Sequence, residues 1–573
     1  MNTELTGVAV TFLLTLVLAF PLGKYIAKVF SGEKTLLGFL NPFERFIFRI
    51  CGIDANKKMD WKEFLKAMLT INMLWVIYAF FMLTYQAYLP LNPDGNANQS
   101  PDQAFNTAIS FAVNCNLQHY SGESGLTYFT QLFVVTFLQF VSAATGIACL
   151  VALFNGLKEK STDNLGNFWG IFVKSVTRLL LPLSIVLGIV LSFNGVPASF
   201  DGKDTITTLQ GDTVQVSRGP AAGMIAIKQL GTNGGGWFGA NSTHPFENPD
   251  YFTNVLQTIA ILLIPIALVF SLGFYLKRKK LAYVIFSVMT LLFLTFCCIN
   301  VYFETKGNPA IDQLGIAQNM GSMEGKEIRL GSAATAFWSV ATTSTSNGSV
   351  NGMHDSLTPL SGGVIILDMM INSLYGGVGV GLLNYFVFII IAVFMSGLMV
   401  GRTPEFMGHK VEAREIKIAS LVTLLSAFLI KGGTALAAYY FTSYSGADWK
   451  VQPASWLNNP GYHGFSEMLY EFTSANANNG SGFEGLGDNN IFWNISTGIV
   501  MLLGRFLPII GPLAIIGLLA NKKYIPESSG SLKTDSFTFG IMTLAVIIII
   551  NALSYMPALV LGPVAEFLSM KTG

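Results

Sequence analysis

The sequence predicts an all-α, polytopic membrane protein with ten transmembrane helices, arranged as four pseudo-repeats of helix–pore loop–helix around a central pore. Three observations predict this fold class: an apolar composition, ten long apolar runs, and a polar loop type that occurs four times. The 573 residues are 51% hydrophobic and 12% charged, with a mean hydropathy of +0.52. Soluble domains carry about 25% charged residues, so the composition indicates a multi-span membrane protein.

Each apolar run is long enough to cross a lipid bilayer, which takes roughly 20 residues in a helix. The ten runs lie near 6–29, 64–89, 127–155, 173–195, 251–276, 281–303, 378–400, 416–443, 491–520 and 536–562. The first run is not expected to be a cleavable signal, because it lacks a basic start and its positive residues, Lys24 and Lys28, follow it.

The charges of the connecting segments predict the orientation. Of the 34 Lys and Arg residues, 24 fall in alternate segments that begin with the one after the first run. Only eight fall in the opposite segments: Lys203, Arg218, Lys228, Lys306, Lys326, Arg329, Lys450 and Lys571. The positive-inside rule places the first set in the cytoplasm, so both termini are expected outside it. With a net charge of +1 and no basic block, no nucleic-acid partner is expected.

The order of runs and loops predicts the domain organisation. Four pore repeats are expected at 60–156, 172–277, 280–401 and 415–521. An extra transmembrane helix is expected at 1–30 and another at 535–573. All four polar loops then lie on the outer side, each between an outgoing and an incoming span.

The four loops join a short apolar stretch to a tract rich in Gly, Asn, Ser and Thr. The copies are Phe105–Gln118, Ala222–Asn241, Ser332–Asn351 and Phe465–Gly482. Polar backbone at membrane depth is tolerated only where it lines a cavity or is buried in protein, so four such loops around one axis predict an ion selectivity filter. Short helices are expected at Phe105–Ala112, Ala222–Gln229, Ala333–Val340 and Phe465–Phe472. Their partly negative C-terminal ends would favour a cation at the membrane centre.

The centres of the tracts contain no carboxylate. They are Asn114–Asn116, Thr232–Gly236, Ser344–Gly348 and Asn476–Gly480. Gly permits backbone conformations that turn carbonyls inward, and Asn and Ser side chains stabilise such turns. Pores for divalent cations usually present rings of Asp or Glu, so K⁺ is favoured over Ca²⁺ or Mg²⁺. Acidic residues around the mouth would raise the local cation concentration, or are ordinary solvated loop charges: Asp102, Glu123, Glu247, Asp250, Asp355, Glu484 and Asp488.

Two cations lie inside predicted spans, Lys431 and Arg505. Ionisable residues at that depth are costly and usually functional, and a positive charge below a filter would act as a gate or prevent leakage. The alternative is a structural ion pair or hydrogen bonds to the bundle interior. Two further segments carry weaker patterns. The glycines of 377–381 favour close helix packing over nucleotide binding. The charged segment Gly401–Lys417 is expected to form a short surface helix that contacts another subunit, or a solvated loop.

Four stretches resemble a known family. GTNGGGWFGANSTHPFENP, TTSTSNGSVNGMHDSLTPL, MVGRTPEFMGHKVEAREIK and FTSANANNGSGFEGL are similar to signature stretches of the potassium-binding A subunit of the Kdp potassium-transporting ATPase. The resemblance covers the whole chain, including its length and span order. That family belongs to a superfamily of K⁺ transporters with four pseudo-repeats.

The resemblance implies that this chain selects, binds and translocates K⁺ from outside as the channel-like subunit of an ATP-driven pump. The partners it implies are a P-type ATPase subunit (KdpB), which hydrolyses ATP, and small subunits (KdpC and KdpF). The location it implies is the inner membrane of a bacterial cell. No catalytic site and no bound nucleotide are expected, since the chain has neither a GxxxxGK[ST] loop nor a DKTGT sequence.

The resemblance also implies the site residues. The K⁺ filter would comprise Asn114, Cys115, Asn116, Thr232, Asn233, Gly234, Ser346, Asn347, Gly348, Asn478, Asn479 and Gly480. Gln118 resembles a position that tunes ion affinity, and Arg402 and Arg505 match basic positions of the family pattern. Loop one carries Cys115 and no glycine, so its coordination of the ion is expected to differ. In loop four, Ala477 interrupts the Asn run, which leaves the register open by a residue or two.

Two other functions are consistent with parts of the sequence. One is a self-contained K⁺ channel or ion-coupled K⁺ transporter of the same superfamily, which would work without an ATPase. The other is an intramembrane enzyme such as a lipid-modifying transferase, which would need acid–base clusters at the membrane face. The scatter of the five His residues among different loops counts against the enzyme.

Overall fold

The computed structural model describes residues 3–399, 401, 403–443, 456–525 and 533–572. Within these residues, ten helices are long and apolar enough to cross a membrane, which confirms the predicted all-α fold class and number of spans. We number them span 1 to span 10 in chain order: Thr3–Ser31, Trp61–Thr84, Tyr128–Lys158, Phe168–Phe193, Tyr251–Tyr275, Lys279–Lys306, Val380–Met399, Ala413–Ser443, Ile491–Ala520 and Phe537–Leu559.

The spans form an inner set of four and an outer set of six. In spans 3, 5, 7 and 9, between 67% and 89% of the most apolar window is buried, whereas in the other six the buried share is 22–39%. Each inner span is the one that follows a polar loop along the chain. Span 3 shows why such a helix packs inside, because its segment 142–149 (SAATGIAC) consists mostly of small residues that let helices approach closely.

Four shorter helices enter the bundle beside the inner spans. We call them pore helix 1 to pore helix 4: Pro101–Ala112, Ala222–Leu230, Ser332–Ser344 and Tyr462–Ala477. They begin where the sequence predicted them or a few residues earlier, and the third and fourth continue four and five residues further. Even the longest, with 16 residues, extends only about 24 Å, less than the roughly 30 Å of a bilayer core.

The remaining elements are short. The helices are Leu36–Leu40, Asn41–Ile50, Gln86–Tyr88, Gly122–Gly125, Asn241–Thr243, Pro309–Gln313, Pro359–Ile371, Val560–Val564 and Ala565–Thr572. Spans 3 and 4 contain π-helical turns at Gln131–Thr136 and Val176–Leu180. Two antiparallel hairpins pair Asp204–Thr207 with Thr213–Val216 and Glu405–Phe406 with His409–Lys410.

The hairpin at 405–410 corrects one expectation. A short surface helix or a solvated loop was predicted between Gly401 and Lys417, but residues 405–410 form two strands joined by Met407 and Gly408, and span 8 begins at Ala413. Both turn residues have positive φ, 49° and 81°, as a two-residue turn between twisted strands requires. This turn chemistry, in which Met occupies an unfavourable conformation, outweighs the helical tendency of the charged residues nearby.

The glycines of 377–381 confirm the predicted close packing. A Cβ atom on Gly379, whose φ is 85°, would overlap with the carbonyl oxygen of Gly146 in span 3. A Cβ atom on Gly381 would overlap with Gly376. The turn into span 7 therefore packs backbone against backbone on an inner helix, which only glycine permits.

Candidate functional site

The four loops that follow the pore helices share one backbone conformation. In each loop a non-glycine residue has a left-handed conformation just after the helix: Asn114, Thr232, Ser346 and Asn478, with φ of 60°, 48°, 49° and 51°. Two residues later, the chain is again left-handed in loops two, three and four, at Gly234, Gly348 and Gly480. This match sets the register of all four loops, and each predicted filter triplet begins at the first left-handed residue.

A shared hydrogen bond holds the second residue of each triplet. Its backbone N–H donates to the carbonyl oxygen five residues earlier, near the end of the pore helix. The four bonds are Cys115 to Ser110 (2.8 Å), Asn233 to Lys228 (3.1 Å), Asn347 to Thr342 (2.9 Å) and Asn479 to Ser474 (3.0 Å). Each loop is therefore folded back against the carbonyl end of its own helix, where the helix dipole is negative.

Asparagine at the second position stiffens the loop in three of the four copies. The side-chain oxygens of Asn233, Asn347 and Asn479 each accept the N–H of the residue two positions later, at 3.3, 3.0 and 3.0 Å. Such local bonds stabilise turns. In loop one the equivalent residue is Cys115, whose thiol is at best a weak partner.

The same asparagines connect neighbouring loops. The Asn347 amide donates to the carbonyl of Lys228 in pore helix 2 (3.1 Å), and the Asn479 amide donates to the carbonyl of Thr342 in pore helix 3 (2.9 Å). Both acceptors occupy the same position relative to their own loop. Loop three is thus fastened to repeat two, and loop four to repeat three, by one repeated contact.

The contacts close into a ring. The Asn114 amide donates to the carbonyls of Gly231 and Thr232 at 3.1 and 3.0 Å, which joins loop one to loop two. A Cβ atom on Gly234 would overlap with the carbonyl oxygen of Asn347 in loop three. Similar overlaps would occur between Gly348 and Asn479 and between Gly480 and Asn116. The cyclic order is therefore one, two, three, four and back to one.

The structure brings all twelve predicted filter residues into this ring. Eleven of them are buried, and Gly480 is half-buried. None carries a charge. The arrangement offers a neutral, buried set of main-chain oxygens and amide groups, which is chemically suited to a weakly hydrated monovalent cation.

Gln118 bridges loops one and two instead of lying free at the mouth. Its side-chain oxygen accepts the N–H of Gly236 (2.9 Å), and its side-chain nitrogen donates to the carbonyl of the same residue (3.3 Å). These two hydrogen bonds hold loop two at Gly236. A change at Gln118 would therefore act on ion binding through the position of loop two.

The three cations predicted to act in gating or the ion path are placed differently. Arg505 is 3% exposed in span 9, and a Cβ atom added to Gly377 would lie 3.6 Å from both the Nη1 of Arg505 and the Cβ of Ser346 in loop three. Its Nη2 has no hydrogen-bond partner among the described residues. Lys431 lies on an exposed face of span 8 and is not brought to the loops. Arg402 lies outside the described residues.

A cavity with polar and apolar lining begins beside loop three. Ser346 donates a hydrogen bond to the side chain of Asn372 (3.1 Å), and the Asn372 carbonyl accepts the amide of Asn384 (2.9 Å). Asn372 and Asn384 line this cavity together with Asn551 and Ser554. Loop three is therefore hydrogen-bonded to a residue that lines a cavity between spans 7, 8, 9 and 10.

Two buried ion pairs support the pore helices, and the sequence did not predict them. The Nζ of Lys228 in pore helix 2 pairs with Glu247, and both side chains are fully buried. The other Glu247 oxygen accepts the N–H groups of Trp237 and Phe238 at 2.6 and 2.9 Å. A lysine inside the apolar run AGMIAIKQL was the available signal, because a buried charge needs a partner.

The second pair joins Lys326 to Glu304 at 2.9 Å, and again neither side chain is exposed. Glu304 also accepts the N–H and the hydroxyl of Thr358 at 2.8 and 2.7 Å. Lys228 and Lys326 were both counted among the cations of the outer segments. The structure shows instead that both form buried ion pairs.

The carboxylates predicted around the mouth are also engaged in structural contacts. Asp250 caps span 5 by accepting the N–H of Thr253 (2.8 Å), and Glu123 accepts the N–H of Gly239 (2.7 Å). Three others accept hydrogen bonds from backbone N–H groups, amides or His rings: Asp102, Asp355 and Glu484. Asp488 lies 3.8 Å from His119 Nε2. They are therefore not simply solvated loop charges.

Histidines that are far apart in sequence meet carboxylates in the structure. His119 Nε2 lies 3.1 Å from Glu471 and 3.8 Å from Asp488. Burial disfavours the imidazolium, but Asp488 and Glu471 outweigh this and raise the pKa of His119 to about 9. The scatter of His along the sequence was therefore a poor guide to whether acid–base clusters form.

His463, at the start of pore helix 4, has carboxylates on both ring nitrogens. Nε2 lies 2.9 Å from Asp355, which follows loop three, and Nδ1 lies 2.9 Å from Glu566 of the C-terminal helix. Burial opposes protonation, yet the hydrogen bonds to Asp355 and Glu566 raise the pKa of His463 from 6.5 to about 10. An imidazolium that bridges two carboxylates ties three parts of the outer face together.

This bridge predicts a pH dependence of stability. Because the pKa is raised in the folded state, the stabilisation is fully present below pH 6.5 and is lost as the pH rises through about 10. We expect the thermal unfolding midpoint of the purified protein to fall by a few degrees across this range. We expect His463→Gln to show a smaller decline than wild type, and the control His409→Gln to show the same decline as wild type. Differential scanning fluorimetry measures all three. Equal slopes in all three proteins would contradict the bridge.

Comparisons with known proteins agree in the family they indicate. A model of the family described as "Potassium-transporting ATPase A subunit" matches residues 9–568. A curated protein of Flavobacterium psychrophilum, named "Potassium-transporting ATPase potassium-binding subunit", is 62% identical over 100% of both chains. Proteins of the same name from Phocaeicola vulgatus and Geobacillus kaustophilus are 60% and 45% identical, over 100% and 98% of both chains.

Among solved structures, the potassium transporter TrkH from Vibrio parahaemolyticus is similar with a TM-score of 0.49 and 14% identity, over 89% of this chain and 98% of that chain. The family match and the curated relatives extend over nearly the whole length that folds into the ten spans and the ring of loops. The chain therefore belongs to the family of potassium-transporting ATPase A subunits.

Proposed function

We propose that this chain selects, binds and translocates extracellular K⁺ as the non-catalytic, channel-like subunit of an ATP-driven potassium uptake pump. The observation that carries the proposal is the closed ring of four loops with matching left-handed residues. The relatives are named potassium-binding subunits. The neutral ring is a type of site that can bind K⁺.

The chemistry of the ring favours K⁺ over divalent cations. A filter made of main-chain oxygens replaces the water around a weakly hydrated ion, whereas Ca²⁺ and Mg²⁺ are bound chiefly by carboxylates. The carbonyl ends of four pore helices add negative potential without a fixed negative charge. The ion is the transported substrate, and the twelve filter residues would hold it.

The distribution of charges supports an orientation with the loops outside. The cations concentrate in alternate connecting segments, which the positive-inside rule assigns to the cytoplasm. Two cations of the opposite segments, Lys228 and Lys326, are neutralised in buried pairs, which strengthens the asymmetry. We place the protein in the inner membrane of a bacterial cell, with both termini outside the cytoplasm.

The energy for uptake would come from a partner. The sequence carries neither a phosphate-binding loop nor a phosphorylation sequence, so ATP hydrolysis is assigned to a P-type ATPase subunit (KdpB), with KdpC and KdpF as small subunits. Arg505 beneath the ring opposes free passage of a cation, which fits a pump subunit better than an open channel. The cavity lined by Asn372 lies beside loop three and is the candidate next position for K⁺ after the ring.

The bond between Gln118 and Gly236 predicts a specific change in affinity. Gln118→Ala removes both hydrogen bonds between Gln118 and Gly236 of loop two, so we expect the half-saturating K⁺ concentration to rise about tenfold, equivalent to about 1.4 kcal/mol. Assembly should be unaffected, because the side chain contacts only the filter region. The half-saturating K⁺ concentration is measured from K⁺-stimulated ATP hydrolysis by the purified complex. An unaltered value would refute the role of Gln118 in K⁺ affinity.

Copurification tests the proposal as a whole. The tagged chain, extracted from its native membrane, should bring down an ATPase whose hydrolysis is stimulated by K⁺. Hydrolysis should lose this stimulation when Gly234→Asp is introduced in the chain. Uptake of K⁺ into liposomes by the chain alone would contradict the pump and favour a self-contained channel or ion-coupled transporter.

A further inference from the structure

A cluster of three ligand-type side chains lies beside the ring and outside the filter. His119 follows loop one, Glu471 is in pore helix 4, and Asp488 follows loop four. One nitrogen or oxygen of each residue lies within 4.8 Å of the others. The cluster spans the seam where Asn116 meets Gly480, the contact that closes the ring.

The spacing of these atoms suits a small tetrahedral ion. His119 Nε2 lies 3.1 Å from Oε1 of Glu471 and 3.8 Å from Oδ2 of Asp488. In a tetrahedral zinc site with bonds of about 2.0–2.1 Å, adjacent ligand atoms are about 3.3–3.4 Å apart. The two observed distances lie on either side of this value, and all three ligand atoms lie within 4.8 Å of one another.

The other ring nitrogen of His119, Nδ1, has a hydrogen-bond partner that orients the ring. Nδ1 lies 2.6 Å from the side-chain oxygen of Asn494. The orientation of that amide is set by Asp102, which accepts a hydrogen bond from the Asn494 nitrogen at 2.7 Å. The proton of a neutral ring therefore sits on Nδ1, and the lone pair of Nε2 faces the two carboxylates. Metal-binding histidines are typically oriented by a partner of this kind.

One of the proposed ligands, Glu471, has a carboxylate oxygen without a hydrogen-bond partner in the described part of the chain. Glu471 is 1% exposed, and its Oε2 has no hydrogen-bond partner among the described residues. A buried carboxylate oxygen without a partner is costly, and a cation bound by both oxygens of Glu471 would remove that cost. The Asp488 side chain is 29% exposed, so an ion can enter from the outer solution and retain a water as its fourth ligand.

We propose that His119, Glu471 and Asp488 form a binding site for Zn²⁺ that bridges the first and fourth filter loops. Imidazole nitrogen is a ligand that Zn²⁺ prefers and that K⁺, Ca²⁺ and Mg²⁺ do not. Three protein ligands and one water are the usual set for an open zinc site. Without metal, a proton on Nε2 takes the place of the ion and forms the ion pairs with both carboxylates.

Zinc titration of the purified complex tests the site. The metal-free complex, without K⁺, is titrated with Zn²⁺ in competition with a chromophoric chelator. We expect wild type to bind one more equivalent per chain than His119→Gln. In Asp488→Asn, the affinity of that equivalent should fall at least about tenfold. Asp488 is the most exposed ligand, so its substitution is the less likely of the two to disturb folding. The control Glu123→Gln changes a nearby carboxylate outside the cluster and should bind as wild type does.

Co²⁺ gives an independent signature. In wild type, Co²⁺ should produce the intense visible absorption of a tetrahedral site, and this absorption should be absent from both cluster variants. Equal zinc stoichiometry and affinity in wild type, His119→Gln and Asp488→Asn would overturn the proposal and leave the triad as a protonated ion cluster only. Since neither readout uses K⁺, the result is separate from the proposed transport function.

Discussion

Gly348→Ala should raise the K⁺ concentration that half-saturates ATP hydrolysis by at least about 100-fold, equivalent to about 2.7 kcal/mol. Gly348 has a φ of 84°, which side chains rarely adopt, and an added Cβ would overlap with the carbonyl oxygen of Asn479 and the amide oxygen of Asn116. The three loops that meet at this residue would have to separate. Because a filter depends on oxygens at fixed spacing, the loss should exceed the cost of the backbone strain alone.

A matched glycine provides the control. Gly223 lies near the start of pore helix 2, and a Cβ there would meet no atom within 4 Å. Gly223→Ala should leave the half-saturating concentration unchanged. Gly234→Asp and Gly348→Asp, which add a charge as well as volume, should abolish high-affinity uptake. Unchanged K⁺ affinity in both Asp variants would refute the assigned filter.

Removing the buried charge of Arg505 should have the second large effect. In proteoliposomes without ATP, Arg505→Gln should increase passive K⁺ flux at least about tenfold, because like charges repel strongly in a site of low dielectric constant. Arg505→Lys retains the charge and should remain tight. Flux is measured with a K⁺-sensitive dye after a concentration gradient is imposed.

Measurements of thermal stability distinguish a role of Arg505 in opposing K⁺ flux from a structural role. Among the described residues, no carboxylate lies within salt-bridge distance of Arg505, and its Nη2 has no hydrogen-bond partner. A buried charge without a carboxylate partner destabilises a protein, so Arg505→Gln should unfold at the same temperature as wild type or a higher one. A lower unfolding temperature with unaltered flux would assign Arg505 a structural role.

The number of spans was predictable because it depends on composition along short segments. Ten apolar runs and the cations between them are local properties of the sequence, and the structure has ten spans at those places. Which spans lie inside the bundle and which lie outside was harder to predict from the sequence than their number. Both sets are apolar, and the small residues of 142–149 in span 3 become informative only once it is known that this span follows a polar loop.

The filter residues were predictable in part. Gly234, Gly348 and Gly480 stand out because left-handed backbone favours glycine. The left-handed residues Thr232 and Ser346 do not, since these residue types rarely adopt that conformation and only the packed ring imposes it. Their equivalence to Asn114 and Asn478 became visible from the backbone, and it settled the register that sequence left open in loop four.

The contacts that support the site lay beyond sequence reasoning. Lys228 and Glu247 are separated by 19 residues, whereas His119 and Glu471 are separated by 352. Their pairing depends on how pore helices and loops of different repeats meet. Charges in these segments resembled solvated loop residues until the structure placed them in buried pairs.

A density map of the complex with K⁺ present and its partner subunits retained tests the central claim most directly. We predict a density peak on the axis of the ring, surrounded by main-chain oxygens from all four loops, and its loss when K⁺ is replaced by Na⁺. An empty ring with the K⁺ density bound elsewhere in the chain would contradict the account.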